Sequence, residues 1–189
     1  KHFSKLGCNV DVLYLIKDKL SKRQIEDKIL NSDVIYVGGG NTLKMMKKWK
    51  ELGVDKILKK AYKKGIVMSG VSAGAICWFR CGNSDSKLKE TGKLIKVAGL
   101  NLANILLCPH YDKEKIRKPD LKEMMKTTKG IALALDNCSA IEIVDKKYRI
   151  IKSKKTAKAY KVYWKNGKYC NKKIIFKKDL SDLKTLFKI

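Results

Sequence analysis

The pentapeptide Gly70-Val71-Ser72-Ala73-Gly74 limits the folds open to this chain more than any other stretch. It follows the apolar run Ile66-Val67-Met68 and leads into Ala75-Ile76-Cys77-Trp78-Phe79, which predicts a short buried strand, a sharp turn and a buried helix. Glycines two before and two after the serine let the chain bend tightly and let strand and helix approach closely. Such a turn holds the Ser72 hydroxyl in the open at a helix N-terminus. There, backbone N–H groups and the positive dipole end favour a developing negative charge. Ser72 is the candidate nucleophile; the competing account is a tight turn in which a small serine merely fits.

Strands and helices alternate through the first half of the chain. Residues 10–16 are a strand candidate, and Ser21-Lys22-Arg23-Gln24 has the form of a capping box opening a helix through Leu30. Val34-Ile35-Tyr36-Val37 predicts a second strand, and residues 43–63 carry apolar side chains at helical spacing, broken near Gly53. The alternation argues for an α/β three-layer sandwich, a mostly parallel sheet with helices on both faces. The second strand ends at Gly38-Gly39-Gly40-Asn41-Thr42, which lacks the Gly-Lys-Ser/Thr of a P-loop and the G-x-G-x-x-G of a dinucleotide site. In an open α/β sheet the ligand crevice lies beyond the carboxyl ends of the strands. A Gly39 or Gly40 amide is therefore expected to pair with that of Ala73, the residue after the nucleophile, as an oxyanion hole. A tight turn with an Asn41 or Thr42 helix cap is the alternative.

A serine hydroxyl needs a neighbouring base with a pKa near 7. The chain has only two histidines, His2 and His110, which leaves no histidine-rich metal site and makes His110 the candidate. It ends the apolar run Ile105-Leu106-Leu107-Cys108, fixed by Pro109. A carboxylate would hold the imidazole in its productive tautomer. Asp85, in the loop expected over residues 80–86, and Glu142, inside the apolar strand expected over residues 140–144, are the two candidates, with Asp112 a third. Burial favours Glu142, because a carboxylate in an apolar run is costly unless paired. Downstream, residues 119–129 predict a helix with Leu121, Met124 and Met125 inward. Residues 131–135 and 140–144 predict strands separated by Asp136-Asn137-Cys138. Beyond residue 148 the pattern is β-rich, with Asn166-Gly167 as a hairpin turn, a strand over residues 174–176 and a closing helix over residues 180–187.

At 189 residues, one domain over residues 1–189 is expected. No apolar run approaches the roughly 20 residues that span a bilayer and no signal peptide opens the chain, so a cytoplasmic protein is expected. The chain starts at Lys1, and residues 1–7 resemble the tail of a helix, so an N-terminal strand is expected to be missing. The net charge of +26 raises nucleic acid as a partner, but the arginines number four and the lysines are spread from end to end. A groove reader would use more arginine, so weak non-specific adhesion is expected instead of specific binding. The six cysteines form no C-x-x-C and several lie in apolar runs, as buried free thiols in a reducing compartment do.

Val37-Gly38-Gly39-Gly40-Asn41-Thr42, Gly70-Val71-Ser72-Ala73-Gly74-Ala75, Pro109-His110 and Ala140-Ile141-Glu142, in this order, resemble the peptidase E (aspartyl dipeptidase) family of serine peptidases. The resemblance implies a class I glutamine amidotransferase-like fold with serine in place of cysteine. It also implies hydrolysis of dipeptides with N-terminal aspartate, without metal or other cofactor. It puts the nucleophile on Ser72 and the histidine on His110, and corresponds loosely to either Asp85 or Glu142 for the acid. The loop around Asp85 departs from the family's spacing. The related cyanophycinases share the elbow, but their Gln- and Arg-rich continuation after the histidine is absent here. The expected partner is a small peptide, its aspartyl side chain met by Arg80 or Arg117, with no specific nucleic acid, no membrane, and a monomer or homodimer. A non-catalytic binding protein on this fold is the alternative.

Overall fold

The computed structural model describes residues 2–189. After a 3-10 turn at Ser4–Leu6, residues 8–14 run on without joining a sheet. The strand expected over residues 10–16 is therefore not formed. Its alternation is present, with Val10, Val12, Tyr14 and Ile16 exposed and Leu13 and Leu15 against the core, but a strand exists only through a paired neighbour.

The next elements follow the sequence closely. Helix α1 (Lys22–Leu30) opens with the capping box, Ser21 accepting from the Gln24 N–H while the Gln24 side chain accepts from Ser21 N–H, and buries Ile25 and Ile29. Strand β1 (Val34–Val37) leads to α2 (Thr42–Glu51) and α3 (Val54–Lys63), which part at Gly53, φ 70°. Asn41 caps α2, and the two helices bury Met46 and Trp49, then Val54, Ile57, Leu58 and Ala61. Strand β2 (Val67–Gly70) pairs with β1 in parallel, from Val34 opposite Val67 to Val37 opposite Gly70.

The elbow helix α4 (Ala73–Ile76) is a single turn, and the chain re-enters a sheet as β3 (Phe79–Ser84). This corrects the polar loop expected over residues 80–86, for Asn83 and Ser84 are buried. Their polarity is satisfied internally: Asn83 Nδ2 donates to Asp120 at 2.7 Å and Ser84 Oγ to Thr42 Oγ1 at 3.1 Å. Gly82 is required because a Cβ there would stand 2.5 Å from Ile76. Next come α5 (Leu88–Thr91), β4 (Ile95–Ala98), β5 (Ala103–Cys108), α6 (Arg117–Lys126), β6 (Ala132–Leu135), β7 (Ser139–Val144), β8 (Lys147–Lys152), β9 (Ala159–Lys165), β10 (Lys168–Lys173), β11 (Ser181–Asp182) and α7 (Lys184–Phe187). Residues 174–176, expected as a strand, lie past the end of β10.

The fold is mixed α/β. Its largest sheet runs β10-β9-β6-β5-β3-β4, with β3, β5 and β6 parallel in the middle and antiparallel partners outside. Ile105 to Cys108 of β5 are fully covered, as a central parallel strand with both faces packed must be. Strands β7, β8 and β11 form a separate antiparallel sheet. Strands β9 and β10 meet around Asn166-Gly167, both at positive φ.

Candidate active site

Strand β2 delivers the elbow. A Cβ added to Gly70 would lie 2.2 Å from the Gly74 carbonyl oxygen, and one added to Gly74 would lie 2.0 Å from that of Val37. Strand β1, strand β2 and α4 are thus in backbone contact, and only glycine permits it. The bend puts Ser72 at φ 55°, ψ −117°, a conformation that costs a non-glycine residue on the order of 1–3 kcal/mol. Trp78 Nε1 donates to the Ser69 carbonyl at 3.1 Å and ties the residues after the elbow back to β2.

Strand β5 ends beside it. His110, also at positive φ (56°), points Nε2 at Ser72 Oγ across 3.0 Å, while its Nδ1 lies 2.7 Å from Asn137 Oδ1. Tyr111 N–H donates to the Leu135 carbonyl at 3.0 Å, which fixes the histidine loop against the end of β6. Asn137 N–H donates to Asp112 Oδ1 at 2.8 Å. Behind this contact Asp136 is nearly covered, and burial, then the charge of Asp112, raises its carboxyl above the usual aspartate value.

The glycine loop faces the serine. A Cβ on Gly39 would be 3.5 Å from Ser72 Cβ and 4.0 Å from its Oγ, so the loop backbone comes within reach of whatever Ser72 attacks. Among the described residues the N–H groups of Gly39, Gly40 and Ala73 have no backbone acceptor. The loop is fastened from below: Asn41 Nδ2 donates to the Ser86 carbonyl at 2.9 Å and Leu43 N–H to Ser86 Oγ at 3.0 Å.

Neither expected carboxylate lies against the imidazole. Glu142, on β7, faces Arg149 on β8 and forms an ion pair with it, so its burial cost is met by a cross-strand cation. Asp85 is exposed, and its carbonyl accepts from Leu88 N–H in a turn. Asp112 reaches the backbone of Asn137 and not the ring. The arginines expected to meet a substrate carboxylate are engaged elsewhere. Arg80 donates to the Lys129 carbonyl, while Arg117, 1% exposed, pairs with Glu114 and donates to Asn83. Asn137 carries no mark of a triad member in the sequence, because its side chain is not an acid. Its position between two strands, at the carboxyl end of β6 next to the histidine strand, is the signal that marks it.

The six thiols are free. Burial pushes Cys108 up to about 12 and raises Cys77 as well, so both remain protonated, packed side chains. No helix among the described residues is long and apolar enough to cross a membrane.

A serine raised on a glycine-flanked elbow and met by a histidine defines a nucleophile-elbow α/β protein. More narrowly, the model of peptidase family S51 matches residues 1–151, and the chain belongs to that family. It is 38% identical over 162 residues to "Uncharacterized peptidase YgaJ" of Bacillus subtilis (strain 168), covering 85% of this chain and 68% of that one. It is 29% identical over 152 residues to "Uncharacterized peptidase Lin0382" of Listeria innocua, covering 77% and 70%. In fold it is similar to a putative peptidase E from Listeria monocytogenes EGD-e, with TM-score 0.61, 24% identity, and 80% of this chain and 74% of that one covered. It is also similar to a peptidase from an acI-B1 Actinobacterium, with TM-score 0.64, 14% identity, and 85% and 63% covered.

Proposed function

We propose that this member of a peptidase family hydrolyses small peptides, dipeptides with N-terminal aspartate foremost, through a serine acyl-enzyme. The observation that carries the reading is the 3.0 Å separation of His110 Nε2 and Ser72 Oγ on the strained elbow. His110 takes the Ser72 proton as Oγ attacks the scissile carbonyl. The carbonyl oxygen turns toward the Gly39 or Gly40 and Ala73 amides, which have no backbone acceptor among the described residues, and gathers its negative charge there. His110 then protonates the leaving amine, and water, activated by the same ring, releases the acid and frees Ser72.

The test is hydrolysis of a panel of aspartyl dipeptides by the parent and by Ser72→Ala, with products separated by chromatography. The parent is expected to release free aspartate and Ser72→Ala to lose nearly all of that rate. Equal rates from both proteins would sink the reading.

A further inference from the structure

Two loops meet at the imidazole, and they are joined by their own hydrogen bonds. Residues 109–112 leave β5 and residues 136–138 leave β6, its parallel neighbour. Tyr111 N–H donates to the Leu135 carbonyl at 3.0 Å and Asn137 N–H to Asp112 Oδ1 at 2.8 Å, so the two loops are held to each other. Ser139 N–H closes the turn on the Asp136 carbonyl at 3.1 Å, with Cys138 at φ 66°. Asn137 is left with its side-chain oxygen 2.7 Å from His110 Nδ1.

The polarity of that contact decides where the ring proton resides. An amide oxygen only accepts, so Nδ1 must carry the hydrogen, and the Nε2 lone pair then faces Ser72 Oγ, as a base requires. The amide nitrogen in the same place would demand the reverse: Nδ1 unprotonated, and Nε2–H aimed at the serine. A carboxylate has no such ambiguity and adds a negative charge that steadies the imidazolium. Asparagine can still serve, as it does beside the histidine of papain-like proteases, if its environment fixes which end points inward.

We propose that Asn137, its backbone N–H held by Asp112, is the positioning residue of this site, a neutral amide that sets the tautomer of His110 without offsetting its charge. The proposal rests on the serine-peptidase reading. It places the third member in the β6–β7 turn, and it implies that the site lacks the electrostatic contribution of a carboxylate.

Imidazole nitrogen-15 NMR tests it directly, since the chain has only two histidines and His2→Gln leaves one. In His2→Gln the neutral His110 ring is expected as the Nδ1–H tautomer. Adding Asn137→Ala should shift the population toward Nε2–H and lower the hydrolysis of an Asp-Leu dipeptide at least about a hundredfold. Asn137→Asp is expected to keep the Nδ1–H form and restore activity to the parent's level or above. The acid limb of its rate profile should move to higher pH, because a carboxylate favours the protonated ring. A parent already in the Nε2–H form, or an Asn137→Ala protein with unchanged tautomer and rate, overturns the proposal. Ser72→Ala separates the two readings: hydrolysis that survives it removes the serine mechanism. Hydrolysis that is lost in Ser72→Ala but untouched in Asn137→Ala removes only the role of Asn137.

Discussion

Ser72 is held at φ 55°, ψ −117°, where a side chain is strained and glycine is not. Two substitutions that remove the same hydroxyl should therefore differ in stability. Ser72→Ala keeps the Cβ and its strain; Ser72→Gly releases it, at a cost of about 0.4–1 kcal/mol from the freer unfolded chain. With strain on the order of 1–3 kcal/mol the mid-range net gain is about 1 kcal/mol, so Ser72→Gly is expected to melt above Ser72→Ala by about 2–4 °C, while both lack hydrolysis. An alanine variant that melts at or above the glycine variant would mean that the strain at the elbow does not exceed the entropy cost of glycine. Gly74 is the converse case. A methyl group there would sit 2.0 Å from the Val37 carbonyl oxygen, so Gly74→Ala is expected to destabilise by about 1–3 kcal/mol or more in chemical melts. It should also displace Ser72 from His110 and so lower hydrolysis. A Gly74→Ala protein as stable as the parent would contradict the backbone contact described.

At the scale of elements, the legible parts were those whose sequence signal is local. The capping box at Ser21, the break at Gly53 and the strand that ends at Cys108, two residues before His110, each follow from backbone chemistry within a few residues. What escaped depends on partners far along the chain. Strand β3 reads as a loop because Asn83 and Ser84 are polar; only Asp120 and Thr42, brought from elsewhere, make them fit for a core. Glu142 reads as an unpaired buried acid until Arg149 faces it across the β7–β8 ladder. The β6–β7 turn carries a prediction of its own. Burial and Asp112 raise the Asp136 carboxyl, so the folded protein holds that proton more tightly than the unfolded chain does. The ionised group thus costs stability at neutral pH, and the cost fades as pH falls through the folded-state value toward the ordinary 3.8. Asp136→Asn retains an acceptor for Lys158 N–H, which Asp136 now binds at 3.0 Å. The variant is expected to melt higher than the parent at pH 7, and the advantage should vanish below the ordinary aspartate value. A variant that melts lower at pH 7, or an advantage that grows in acid, would contradict this account.

Across the whole molecule the net charge of +26 acts as a distributed strain that no single contact reveals. Strands β9 and β10 concentrate it: Lys161 stands opposite Lys172 and Lys165 opposite Lys168, pairs of like charge directly across an antiparallel ladder. Lys161 and Lys172 both approach the Tyr163 ring, at 5.7 and 6.0 Å from its centroid, so they share one face of the sheet. Burial, followed by the charge of Lys172, lowers the Lys161 ammonium below its ordinary value. Such pairs are destabilising, and an opposite-charge pair in the same place contributes roughly 0.2–1 kcal/mol. Lys172→Glu is therefore expected to raise the melting temperature at low ionic strength, by up to about 2–4 °C per kcal/mol in a chain of this length. Salt supplies the control. As the screening length falls from roughly 10 Å near 0.1 M toward about 3 Å at 1 M, repulsion in the parent weakens and so does attraction in the variant. The parent should gain stability with added sodium chloride and the two melting curves should converge. If Lys172→Glu melts below the parent at low salt, or if the gap between them widens as salt is added, like-charge repulsion is not what limits this edge of the sheet.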